Sequence, residues 1–195
     1  MFTPVFPAKI SSVANSYLCL LDRWNNVHSL TALPPEARFE ALLLDSAALL
    51  PRLESVPADS LIADFGSGMG IPAVVIAAHR PDLRVAAIDR NHKKMAFVRQ
   101  VALELKLGNL RAICDSIESV TPLNAHFGTA KAVGSLNLLL GWWKRHSARG
   151  APFFAFAGPN YTLTDIGGEW NYEIYPYRLP SFGQRAIVEF ISKLA

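Results

Sequence analysis

Three glycines alternate with other residues in Asp64-Phe65-Gly66-Ser67-Gly68-Met69-Gly70, and an acid, Asp89, follows nineteen residues after the last of them. These residue types at this spacing suit the holding of a nucleoside. Glycine admits positive φ and lets a ligand come within van der Waals reach of the main chain, while a helix that begins there presents unpaired N–H groups. A carboxylate at the end of the next strand can accept both hydroxyls of a ribose. The flanks supply those elements: Leu61-Ile62-Ala63 is an apolar run suited to a buried strand, Pro72 to Ala78 suits a buried helix, and Arg84 to Ile88 is a second strand ending at Asp89.

A dinucleotide site also wants a glycine-rich first turn and an acid about twenty residues on. Counted from Gly66, its G-x-G-x-x-G pattern would need a third glycine at Ile71, whose β-branched side chain cannot replace a glycine packed on a sheet. The glycines instead read G-x-G-x-G, and Asp64 stands two residues ahead of the first, the arrangement usual in Rossmann-like methyltransferases. The expected cofactor is therefore S-adenosylmethionine, with Asp64, Gly66, Gly68, Gly70 and Asp89 as cofactor-binding positions; Asp64 is read as support, bonding the turn's own backbone. A tight turn with incidental glycines would explain the turn but not Asp89.

These positions need a sheet to hold them, and the remaining pattern predicts one. Helical patterns cover about Ala8 to Asn26 and Glu36 to Leu50, the latter opened by Pro34-Pro35. From Leu61 strand and helix alternate: Leu61 to Phe65, Pro72 to His79, Arg84 to Ile88, His92 to Leu107, then Asn109 to Cys114 after a stop signal at Gly108. That is βαβαβ, hence a parallel sheet. A weaker strand at Phe127 to Ala132, a helix at Ser135 to Arg145 and a strand at Pro152 to Phe156 continue it, and Asn171 to Tyr177 with Arg185 to Ile191 suggest a closing antiparallel hairpin. The expected fold class is α/β, a Rossmann-like S-adenosylmethionine-dependent methyltransferase fold. Its sheet is mainly parallel, with a C-terminal antiparallel hairpin and an N-terminal helical cap.

The 195 residues, 51% hydrophobic and 18% charged, are enough for one compact domain, expected as a helical cap (1–57) on a Rossmann-like core (58–195). The apolar stretch Ile71 to Ala78 is too short to cross a bilayer, and Met1 to Ile10 carries two prolines and a lysine rather than a signal-peptide pattern, so a cytoplasmic protein without a membrane partner is expected. Cys19 and Cys114 read as reduced core thiols, and the five histidines never recur at ligand spacing, so no metal is expected. The net charge of +3 is mildly basic. Arg90, Lys93, Lys94 and Arg99 follow the second strand, and Lys144, Arg145, His146 and Arg149 crowd a helix end. Each group reads either as phosphate contacts or as a solvated helix face.

Several segments together resemble the GidB/RsmG family, which methylates guanine N7 in bacterial small-subunit ribosomal RNA. They are Leu20-Leu21-Asp22-Arg23-Trp24-Asn25 with Leu30-Thr31-Ala32; Leu43-Leu44-Asp45-Ser46 with Ala48-Leu49-Leu50-Pro51; the glycine turn continued as Gly70-Ile71-Pro72; Asp89 with Lys93-Lys94 and Phe97; Arg99-Gln100-Val101; and Glu104-Leu105-Lys106-Leu107. The resemblance implies cofactor contacts at Gly66 and Ile71, at Asp89, at Ile117 and Glu118 near the adenine, and at Lys131. It implies ribosomal RNA or the small ribosomal subunit as partner, with Lys131, Lys93 and Lys94 as substrate-binding positions. Lys131 reads equally as an ordinary strand-end lysine, and Asp45-Ser46 as a helix-face pair without a role. Four departures are expected around one pocket: Lys131 where the family has arginine, His126 for aspartate, Ser116 for a basic residue, and Ala157 for a lysine before Gly158.

Methyl transfer to guanine N7 needs no residue to remove a proton, because N7 has a free lone pair, so the catalytic residues are left unassigned. The target base must leave its stack, with Trp142, Trp143, Trp170, Tyr161 and Tyr172 as stacking candidates or as core. The expected function is an S-adenosylmethionine-dependent ribosomal RNA guanine-N7 methyltransferase. The alternatives are the same chemistry on another RNA or a small molecule, and a non-catalytic cofactor-binding ribosome-assembly factor.

Overall fold

The computed structural model describes residues 1–158 and 168–193. Among them β1 (Leu61–Phe65), β2 (Arg84–Ile88), β3 (Leu110–Ile113), β4 (Phe127–Lys131) and β5 (Phe153–Ala157) pair in parallel. The hairpin of β6 (Trp170–Leu179) and β7 (Gly183–Ser192) closes the sheet, β7 running antiparallel to β5, in the order β3-β2-β1-β4-β5-β7-β6. The mainly parallel sheet and its C-terminal hairpin are those expected from the residue pattern.

A parallel sheet covered on both faces has near-continuous apolar strands, and β1 shows it: Ile62, Ala63, Asp64 and Phe65 are all buried. Alternate side chains serve opposite faces. Ile62, Val85, Ala87 and Phe127 join the core that includes residues of α4 (Ala73–His79), α5 (His92–Glu104) and the cap; Ala63, Phe65 and Ile88 join the core that includes residues of α6 (Leu136–His146). In the cap, α1 (Ser11–His28) buries Ala14, Tyr17, Leu20 and Leu21, and closes at Ser29 in the left-handed region. The second helical run is not uniform: α2 (Pro35–Arg38) passes into a π-helical stretch, Phe39–Leu44, then α3 (Asp45–Ala47).

Two expectations about local chemistry change. Cys19 falls on the outer face of α1 and is exposed, while Cys114 is half-buried with its Sγ 3.2 Å from His92 Nδ1, so neither is a core thiol. α5 ends at Glu104 rather than running to Leu107. Lys106, not Gly108, takes the left-handed conformation there (φ 55°), and Leu107 N–H donates back to the Ala102 carbonyl at 2.9 Å. Among the described residues no helix is long and apolar enough to cross a membrane.

Gly128 in β4 is required by packing rather than by its backbone. A Cβ there would stand 2.5 Å from Phe153 and 2.6 Å from Trp143, two fully buried rings. Gly128→Ala should therefore lower unfolding free energy by about 1–3 kcal/mol through overpacking, read as a shifted urea midpoint. An unchanged midpoint would mean that these rings yield freely.

Candidate functional site

The strand order reverses between β1 and β4, the chain running outward to β3 and then returning, and in such sheets the crevice opens beyond the carboxyl ends of the strands at that point. A cleft of about 650 Å³ lies there, within the usual range for small-molecule sites.

The turn after β1 forms its floor. Gly66 has φ +63°, and a Cβ on it would stand 2.4 Å from Val133 Cγ2, so no other residue fits. Gly68 has φ +58°, and the nearest atom to a Cβ there is the Gly66 carbonyl oxygen at 3.9 Å, so its open side leaves the backbone approachable. Ser67 N–H donates to the Ile88 carbonyl at 3.0 Å, and Gly70 and Ile71 N–H donate to the Ser67 carbonyl at 2.9 and 3.0 Å. From the cap, Tyr17 OH donates to the Met69 carbonyl at 3.1 Å.

Asp64 and Asp89 divide the electrostatic work. Asp64 is fully buried; its Oδ2 accepts from Ser67 Oγ at 2.6 Å and from Ala73 N–H at 3.2 Å, tying β1 to the first residue of α4. Its Oδ1 has no hydrogen-bond partner among the described residues. Burial pushes its carboxyl up to about 7, against those hydrogen bonds and the Lys131 charge, which pull it down. Asp89 is half-buried and lines the cleft: its Oδ2 accepts from Gly68 N–H at 2.9 Å and its Oδ1 from Asn91 N–H at 2.8 Å. Each oxygen keeps a further lone pair, so an anchored carboxylate can still accept the two hydroxyls of a ribose.

The loop after β3 forms the neighbouring wall, and α6 holds it. His146 is buried and donates from Nε2 to the Ile117 carbonyl at 2.9 Å; its burial keeps the imidazole neutral by lowering its pKa. Arg145 donates to the carbonyls of Glu118 and, at 3.2 Å, of Val120. Lys144 pairs with Glu169. Of the basic group at the end of α6, Arg149 alone makes no such contact among the described residues, and it stands beside a second cavity at the other end of the sheet.

Lys131, at the end of β4, lines the cleft, but its ammonium is committed inward. Nζ lies 2.7 Å from Asp45 Oδ2 and donates to the Ala41 carbonyl at 2.7 Å. Asp45 also accepts from Tyr177 OH at 2.6 Å. The reading of Asp45-Ser46 as an idle helix-face pair is thus corrected: both are buried, Ser46 donating to the Leu42 carbonyl at 2.6 Å.

The cleft gathers Gly66, Gly68, Ile71, Asp89, Ile117, Glu118, Lys131 and Lys94. It does not gather three others. Asp64 lies beneath the turn, Gly70 is buried against Val74 and Val98, and Lys93 is exposed outside the lining. The four departures from the family pattern do not share a pocket either. Ser116 and Lys131 line the cleft and Ala157 a smaller cavity with apolar side chains around it, while His126 precedes β4 and sits at the sheet's opposite end beside Arg149. Among the aromatic candidates, Trp142 lines the cleft, Trp143 and Trp170 are buried, Tyr172 is exposed, and Tyr161 lies outside the described residues. Sequence reasoning missed Ser67, Tyr17 and Leu42. The first had a legible signal, a hydroxyl three residues after a buried acid; the other two come from the cap and are recognisable only once it is folded onto the core.

Comparison with known proteins places these features in a family. The GidB family model, described as rRNA small subunit methyltransferase G, matches residues 10–164. A protein of Methylobacillus flagellatus named ribosomal RNA small subunit methyltransferase G is 44% identical over 117 residues, 60% of this chain and 55% of that protein; one of Neisseria gonorrhoeae with the same name is 35% identical over 153 residues, 78% and 72%. The chain thus spans about half the length of the first of these relatives. Among solved structures, an RNA methyltransferase from Salinibacter ruber in complex with S-adenosyl-L-homocysteine is 18% identical with a TM-score of 0.57, covering 76% of this chain and 90% of that one. A tRNA (m1A58) methyltransferase from Aquifex aeolicus is 14% identical with a TM-score of 0.61, covering 76% and 68%. These two share the fold. Because the family model runs from the cap through every parallel strand of the sheet, the chain belongs to the GidB family, rRNA small subunit methyltransferase G.

Proposed function

We propose that this chain is an S-adenosylmethionine-dependent methyltransferase that acts on guanine N7 of small-subunit (16S) ribosomal RNA. The observation that carries the reading is the hydrogen bond from Gly68 N–H to Asp89 Oδ2, 2.9 Å, which joins the glycine turn and the ribose-accepting acid on one wall of the cleft. When bound, the cofactor supplies an electrophilic methyl group on a sulfonium. Asp89 receives the ribose hydroxyls, Ile117 and Glu118 flank the adenine, Gly66 and Gly68 let the main chain approach, and Ile71 and Leu42 provide apolar walls. Since no proton must be removed from N7, the chain contributes orientation, worth on the order of 7–11 kcal/mol at best.

Arg90 and Lys94 line the cleft and Lys93 is exposed beside them on the first turn of α5, which supports approach of an RNA phosphate from that side. Trp142 gives an unstacked base an aromatic surface. The cap (1–57) and core (58–195) act as one unit in this reading, supported by the Tyr17–Met69 and Asp45–Lys131 contacts. It carries with it a cytoplasmic location and the small ribosomal subunit as partner. Two observations favour a second acceptor, another RNA or a small molecule: two of the Lys131 N–H groups are taken up by the cap, and Ala157 offers no cation.

Three measurements check these statements. In calorimetric titration the protein should bind S-adenosylhomocysteine and not NADH, and Asp89→Ala should weaken that binding at least tenfold, since hydrogen bonds to a charged group contribute about 1.5–3 kcal/mol each. Comparable binding of NADH would overturn the cofactor assignment. Mass mapping of ribosomal RNA from cells with and without the protein should show one guanine methylation lost with it and not restored by Asp89→Ala; unchanged methylation would reject this acceptor.

The third concerns Asp64. Its carboxyl titrates near 7 when folded against an ordinary 3.8, so between those values the folded chain keeps a proton that the unfolded chain has released. Its contribution to stability is full below about pH 4 and falls as pH rises through about 7. Relative to Asp64→Asn, the wild-type protein should therefore lose unfolding free energy across that window in urea titrations. A difference that stays flat with pH would show that the carboxyl ionises normally.

A further inference from the structure

Along the carboxyl edge of the sheet the cleft residues follow strand order: Ile117 and Glu118 after β3, Asp89 after β2, Gly66 and Gly68 after β1, Lys131 at the end of β4. An adenosine with its ribose at Asp89 and its base toward β3 directs its remaining substituent toward β1 and β4. In the cofactor proposed above that substituent ends in an amino acid, whose carboxylate needs a cation, and Lys131 is the cationic lining residue on that side.

Its ammonium is not free to search. The Lys131 side chain is 16% exposed, and two of its three N–H groups are taken by Asp45 Oδ2 and the Ala41 carbonyl, each at 2.7 Å, which leaves one donor. The Asp45 side chain is 8% exposed and is held on its other oxygen by Tyr177 OH at 2.6 Å. A desolvated lysine keeps its charge and direction only while such a partner is present. We propose that Asp45 in the cap and Tyr177 in the hairpin are positioning residues for cofactor binding, holding the Lys131 ammonium where the cofactor's carboxylate ends. The inference rests on the cofactor reading above and adds two residues that act through a third.

The test compares two ligands that share adenosine and thioether but differ at the amino-acid end, S-adenosylhomocysteine and 5′-methylthioadenosine, by calorimetry on the whole chain. Asp45→Asn should weaken S-adenosylhomocysteine roughly tenfold and change methylthioadenosine less than about twofold, as expected for loss of one charge-assisted contact. Tyr177→Phe should act in the same sense with a smaller effect, and it decides the comparison if Asp45→Asn fails to fold. Equal losses for both ligands, or no loss for either, would overturn the proposal and leave these residues a purely architectural role. Failure of the wild-type protein to bind either ligand would instead overturn the cofactor reading on which the proposal stands.

Discussion

One buried carboxylate organises the site. Asp64 is the only charged residue in a strand otherwise made of Leu61, Ile62, Ala63 and Phe65, and burying a charge is strongly unfavourable unless it is hydrogen-bonded or neutralised. Both remedies are in place: Ser67 and Ala73 donate to it, and burial raises its carboxyl toward the protonated form. Ser67 lies within the glycine turn and Ala73 just beyond it, so the same oxygen closes the loop and satisfies the first N–H of α4. Within that closed loop Gly66 and Gly68 take positive φ, the backbone stays open beside Gly68, and Gly68 N–H reaches Asp89.

The cap contributes more than cover. Its apolar stripe explains why it docks on the core, but polar contacts determine where, three of them close to the site or the hairpin. Tyr17 bonds the Met69 carbonyl in the turn, Asp45 pairs with Lys131 at the end of β4, and Glu40 accepts from Ser181 N–H in the hairpin turn at 2.6 Å. Polar groups in a low-dielectric interior are costly when unpaired, so they discriminate between cap positions that apolar packing alone would tolerate. A similar division holds across the sheet, where α6 packs through Leu139, Leu140 and Trp143 while His146 and Arg145 fix the carbonyls of Ile117 and Glu118. The cleft is therefore held from below by Asp64, from one side by the cap and from the other by α6.

Much of this was legible in the residue pattern. The order and type of the core elements followed from alternating apolar runs and turn residues, and the ends moved by a residue or two for most of them. The family resemblance, carried by short segments in order, agrees with the family model. The misreadings share a physical cause. Cys19, Asp45 and His146 sit on helices, and which face of a helix is covered depends on partners far away in the chain; Asp45 meets Tyr177 across 132 residues. The four departures were grouped together because sequence distance does not say at which end of a strand a residue lies, whereas His126 and Lys131 lie at opposite ends of β4.

By itself the sequence determined what depends on local spacing: the alternation of strand and helix, the glycine turn with its leading acid, and the acid that closes the second strand. Hydrophobic periodicity and backbone freedom act over a few residues, so a linear reading reaches them. The tertiary structure alone decided which polar groups are buried and with whom they pair, turning Lys131 from a free strand-end cation into a member of a buried chain with Asp45 and Tyr177. Desolvation is set by what packs around a group, and no stretch of sequence carries that.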